Sequence, residues 1–187
     1  MLISRIVLAA VALGLTPAAA AAQAPPDTEG RILFESRLRS ETVDQQGFAE
    51  QARALTWRTR LGWRSPMAHG LQWLVEGEGV AVLDDRYSAP VDPVSGRPAI
   101  TDGETLELNR AQLRWTGLPD TEITAGRQRL SVGNSRFVGN SGWRQNEQTF
   151  DAVRVATTAL KPITLTWAFA DRVQRPLGHE HAQGVWR

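Results

Sequence analysis

The segment RALTWRTRLGWR, residues 53–64, separates into two chemistries when read at every second position. Leu55, Trp57, Thr59, Leu61 and Trp63 form one set; Thr56, Arg58, Arg60, Gly62 and Arg64 form the other. A period of two belongs to a β-strand, whose successive side chains point to opposite faces of the pleat. One face is apolar and aromatic, the other densely cationic. Such a strand needs an apolar medium on one side and a wet or ion-paired one on the other.

The alternation recurs along the chain. Residues 31–42 set Ile32, Phe34 and Leu38 against Glu35, Arg37, Arg39 and Glu41. Residues 71–83 set Leu71, Trp73, Val75 and Leu83 against Gln72, Glu76 and Glu78, and residues 104–116 set Ala111, Leu113 and Trp115 against Arg110, Gln112 and Arg114. Residues 150–160 alternate Val153 and Val155 with Arg154; residues 163–172 set Leu165, Trp167 and Phe169 against Thr166, Ala168 and Arg172. In residues 121–132 the facing is open, because Arg127 and Arg129 share a face with Ile123 and Ala125.

The connections alternate as well. VDQQGFAEQ, the stretch from Asp84 to Gly103 and the stretch from Gly133 to Thr149 are medium or long, whereas SPMAHG, TGLPDT and LKP are short. Ordinary hairpin loops run about 2–5 residues at either end of a sheet. Strict alternation fits two ends that meet different environments, as in outer-membrane barrels with short periplasmic turns and long external loops. An arginine facing lipid at the midplane costs about 2–4 kcal/mol, so the Arg58/Arg60 face is expected to line a wet lumen and the Trp/Leu face to meet acyl chains, with Trp63 and Trp115 in an interfacial girdle. The expected fold class is all-β, an antiparallel transmembrane β-barrel wall with about seven strands. A soluble periplasmic β-sandwich that binds or cleaves an acidic glycan is the alternative, since it too has one apolar and one solvated face.

Composition narrows this further. The 187 residues suffice for one domain, and a mean hydropathy of −0.29 leaves no room for helices that span a bilayer, while alternating strands look average in any hydropathy window. The exception is the start, where Arg5, an apolar run from Ile6 to Leu15 and an Ala-rich stretch read as a secretory signal peptide cleaved after Ala22, with Ala20 completing the small-x-small pattern. Expected organisation is thus 1–22 signal peptide, 23–30 linker and 31–187 barrel. Losing Arg5 leaves 20 cationic against 20 of the acidic side chains, so no global basic field exists and placement must decide. The absence of cysteine removes thiol nucleophiles and thiolate metal sites.

The stretch ETLELNRAQLRWTGLPDTEITAGRQRLSVGNSRFVGNSGWRQNEQTFDAV resembles a signature region of the alginate export family of outer-membrane porins. Its LELN-type strand, GLPDT turn, GRQR strand and RFVGN-GWRQNEQTFDA loop occur together and in order. The resemblance implies an 18-stranded barrel in the outer membrane with an Arg-rich lumen that passes an anionic polysaccharide. The strands counted here would be its N-terminal portion, because an odd set of seven leaves two open edges that lipid does not tolerate. A piece without function by itself is a third reading.

The sites follow. Rings of arginine select anions, and guanidinium pairs bidentately with carboxylates. Arg58, Arg60, Arg110, Arg114, Arg127, Arg129, Arg144 and Arg154 are the candidates to line the solute path, the resemblance bearing most directly on Arg127, Arg129 and Arg144. The competing role is bracing, with arginines paired to Glu35, Glu76, Glu78 and Glu107. The loop SRFVGNSGWRQNEQTF, with Phe137, Asn140, Trp143, Gln145 and Asn146, is expected to fold inward and constrict the pore, or to be ordered by its own side chains. The acids Asp84, Asp85, Asp92, Asp102 and Glu104 fit no EF-hand spacing and read as a solvated loop. The His179-Glu180-His181 triplet lacks further ligands, and no P-loop, GxSxG or HExxH motif occurs. No enzyme activity, catalytic residue, metal or other cofactor is expected. Expected partners are an anionic carbohydrate or organic-acid solute, outer-membrane lipid and components of an export complex, with no nucleic acid.

Overall fold

The computed structural model describes residues 8–15, 28–90, 96–136 and 138–176, the first group as backbone. The predicted cleavage site at Ala22, Asp92, Phe137 and the His179–His181 triplet lie outside the described residues. The elements are all strands: β1 (Leu8–Leu15), β2 (Arg31–Val43), β3 (Ala52–Arg64), β4 (Leu71–Asp84), β5 (Thr105–Leu118), β6 (Thr121–Gln128), β7 (Thr149–Thr157) and β8 (Ile163–Gln174). They form one antiparallel sheet in the order β1-β8-β7-β6-β5-β4-β3-β2. From β2 to β8 each strand pairs with its sequence neighbour, the meander that short turns produce. The sheet is not closed on itself, since β1 and β2 occupy opposite edges.

All seven expected strands are present, within a few residues of their predicted ends. The apolar run read as a leader adds an eighth, β1, along β8 from Leu8↔Ala170 to Leu15↔Ile163. The largest shift in bounds is in β6, expected to reach 132 but ending at Gln128, where the chain turns onto the polar face. The alternation of loops is also found. Segments 65–70, 119–120 and 158–162 join strands at one end; segments 44–51, 85–104 and 129–148 join them at the other.

The distribution of polarity is inverted relative to a water-soluble sheet. Phe34 is 70 % exposed and Leu106 89 %, with Ile32, Leu38, Trp57, Leu61, Trp73 and Leu113 also on the open face, whereas Arg58 and Glu78 are 1 % exposed on the other. Burying a Leu or Phe side chain gains about 1.5–3 kcal/mol, so an apolar face this broad is a surface with a strong tendency to be covered. The two small hydrophobic clusters lie on the charged side, beneath loops. Tyr87 and Ile100 pack on Ala52 and Ala54, and Leu130 packs with Phe150, Ala152, Ala168 and Ala170. Small alanines at these inward positions leave room for loop side chains to descend.

Candidate functional site

The charged face is built from register. Arg60 lies opposite Glu35 on β2 and Glu78 on β4, with Cβ atoms at cross-strand distance. It donates to Glu78 through Nε and to Glu35 through Nη1 at 3.3 Å, while Arg58 donates to the other Glu35 oxygen. Toward the short-turn end, Arg114 and Arg154 grip the two oxygens of Glu122 at 2.6 and 2.9 Å.

A bulge makes the next cluster. Glu76 faces Arg110 and Gly77 faces Leu108, so Asn109 is the extra residue of β5. Asn109 and Arg110 both reach Glu76: Asn109 Nδ2 at 2.9 Å, and Arg110 Nε and Nη2 at 2.8 and 2.5 Å. Asn109 Nδ2 also donates to Glu147 Oε1 at 2.7 Å.

Glu147 belongs to segment 129–148, which leaves β6 and crosses the charged face as far as β2. Gln145, Asn146 and Glu147 are buried there. Gln145 Nε2 donates to Thr56, its amide donates to Asp102 at 3.1 Å, and Asn146 Oδ1 accepts from Thr105 Oγ1 at 2.8 Å. Burial opposes ionisation of Glu147, but Arg129 at 2.7 Å, Arg60 and Asn109 together hold its carboxyl below the usual glutamate range. Burial likewise works against the charge on Arg129, yet Glu147 and Glu76 raise its affinity for the proton. Burial pushes the Arg144 guanidinium down, with Glu41 opposing.

The crossing also resolves a conflict in the sheet. Arg37 and Arg58 are directly opposite on β2 and β3, an unfavourable like-charge pair. Backbone carbonyls of the loop enter between them: Gly142 and Trp143 accept from Arg37 at 3.2 and 2.5 Å, and Gln145 accepts from Arg58 at 3.0 Å. The carbonyl dipoles offset what the acids do not.

Of the predicted path residues, Arg58, Arg60, Arg110, Arg114, Arg129, Arg144 and Arg154 come together on this face or its loop. Arg127 does not. It lies opposite Ala111 on β5 and Asp151 on β7, among the apolar positions, and pairs with Asp151 at 2.8 Å. The phase of Ile123 and Ala125 governs β6, and Arg129 reaches the charged face because the strand has ended. The bracing role is general: each predicted arginine has a carboxylate within 4 Å, Arg144 and Glu41 being 3.9 Å apart. Glu35, Glu76 and Glu78 serve as predicted, and Glu107 accepts from Gln174 at 3.0 Å. Glu122, Glu147, Asp151 and Asn109 were not singled out from sequence.

Among the described residues, the acids expected to share the loop after β4 do not gather. Asp84 pairs with Arg86, and Asp102 is buried against Arg39. Among the described residues no group of three or more His, Cys, Asp or Glu is arranged to hold a metal ion. Comparison with family models, curated proteins and solved structures found no match.

Proposed function

We propose that this chain is the N-terminal portion of an outer-membrane β-barrel porin resembling the alginate export family, exported by its leader. It would pass anionic sugars or other carboxylated solutes through an arginine-lined lumen. The observation that carries the reading is the inverted sheet, with tryptophans, leucines and phenylalanine open on one side and ion-paired arginines buried under loops on the other. A sandwich would lay a second sheet on the apolar face; every strand among the described residues belongs to one sheet. On this reading acyl chains cover that face, and further strands cover the edges once the leader is removed.

The mechanism is electrostatic and passive. A carboxylate entering the lumen loses water, and guanidinium groups compensate it. Because the wall arginines already hold wall acids, an incoming carboxylate exchanges with a partner rather than meeting a bare charge. Each site is weak, and weak sites in series let the solute leave. The inward loop narrows the path and fixes which arginines are reachable.

The test is fractionation of the exported protein together with conductance in a planar bilayer. Extraction by detergent alone and channels whose reversal potential in a KCl gradient favours chloride support the porin. Release by osmotic shock, with no channels from folded protein, would sink it.

A further inference from the structure

Most guanidinium groups of the charged face end on a carboxylate; Arg37 ends on two loop carbonyls, and no ion pair joins it to an acid among the described residues. Beside it stands Trp143, 61 % exposed on a face otherwise made of charges and amides. Arg144 Cζ lies 3.9 Å from the Trp143 ring centroid and Arg39 Cζ 5.9 Å. Arg39 and Arg144 share Glu41 at 2.8 and 3.9 Å, and Arg39 also pairs with Asp102. Two cations therefore flank the indole and meet two acids, while Arg37, held on the Trp143 carbonyl, adds a third positive charge that no acid among the described residues balances.

An indole so exposed has no packing reason to be large. An aromatic face attracts the C–H face of a saturated ring or the face of another aromatic, and the Arg144 guanidinium stacked over the ring, with Arg37 at the Trp143 carbonyl, attracts a carboxylate. The indole and Arg144 lie on the stretch of segment 129–148 that reaches β2, and Arg37 lies on β2 itself; the stretch is held through its carbonyls by Arg37 and Arg58 rather than by the indole. We propose that Trp143, Arg37 and Arg144 form a subsite for a carboxylate carried on a ring with an apolar face, either a sugar acid or an aromatic acid. The subsite rests on the porin reading only for its position in a solute path; binding itself does not need it.

The experiment is calorimetric titration of the full chain, refolded in detergent, with trigalacturonate, benzoate, acetate and maltotriose. The ring-borne carboxylates are expected to bind at least about tenfold more tightly than acetate, and maltotriose not measurably; the tighter of trigalacturonate and benzoate identifies the source. Trp143→Ala should remove that preference, Trp143→Phe should keep it within about threefold, and Arg37→Gln should weaken both ring-borne acids. Equal binding of acetate and the ring acids, or an undiminished preference in Trp143→Ala, overturns the subsite. Protein that enters lipid vesicles without binding the ring acids also overturns it and leaves the porin reading intact. Protein that binds them but never enters vesicles keeps the subsite and removes the porin.

Discussion

Gln145 Nε2 donates to Thr56 Oγ1 at 2.8 Å across 89 residues of sequence, and to the Thr56 carbonyl at 2.9 Å. Both residues are buried, so this amide pins the crossing loop to the middle of β3 on the charged face. Replacing Gln145 by Ala leaves Thr56 Oγ1 without that donor, which costs about 1–3 kcal/mol at a buried site. The expected result is local: amide exchange over 140–148 should accelerate by one to two orders of magnitude while exchange in β3 and β4 stays as it was. Unchanged exchange in the loop would mean that the pin is not what holds it.

Glu147 gives the docking a pH dependence. Its carboxyl is held below the ordinary glutamate value, so the docked loop binds fewer protons than the released one. The contribution is fully present above about pH 4.3, the unperturbed value, and is lost as pH falls through the lower docked value. Loop protection should therefore be flat from pH 8 to 5 and decline below about pH 4. Glu147→Gln should remove that decline and weaken docking at neutral pH, because Arg129 and Arg60 lose a buried counter-charge. A parent protein whose protection falls on raising the pH from 5 to 8 contradicts the assignment.

How far the sequence disclosed this depends on what each feature rests upon. Strand positions and facing were legible in β2, β3 and β4 because alternation is a local property, and it is broken only near the end of β4, where the register against β3 skips Leu83. The bulge in β5 was legible too, although it was not read: Leu106 and Leu108 fall on even positions while Ala111, Leu113 and Trp115 fall on odd ones, and only an inserted residue reconciles them. Arg127 misled because two arginines at one spacing were weighed against two small apolar residues, and only pairing with Ala111 and Asp151 decides between them. Glu147 could not be found locally at all. Its role comes from a loop that crosses four strands, and such long-range contacts leave no periodicity.

The open apolar face makes a prediction whose sign depends on the medium. Leu61 is 60 % exposed and opposes Phe34 across β2 and β3. In water, Leu61→Arg at such a site should change stability by no more than about 0.5 kcal/mol. In lipid the same change should cost about 2–4 kcal/mol near the midplane, less toward an interface. Urea titration of parent and variant refolded into phospholipid vesicles measures the difference. A cost inside 0.5 kcal/mol in vesicles would argue that this face does not meet acyl chains.

Arg114, Arg154 and Arg127 are all half-buried and all ion-paired, yet they should behave differently in a conducting pore. Arg114 and Arg154 share the single carboxylate of Glu122 on the charged face, which leaves one cation in excess where a solute would pass. Arg127 pairs with Asp151 on the opposite face, where Arg172 lies across from Asp151 on β8. Arg114→Gln combined with Arg154→Gln should therefore reverse the local charge and shift the bilayer reversal potential toward cation preference. Arg127→Gln should leave the reversal potential unchanged and show its effect in stability instead, through an unpaired Asp151 beside Val153. Exposed or half-exposed ion pairs contribute about 0–1 kcal/mol in water, and the loss should be larger in lipid, where the remaining carboxylate has no water to turn to. Equal shifts in reversal potential from the two variants would show that facing, as assigned by the β5–β6–β7 register, does not govern what the solute meets.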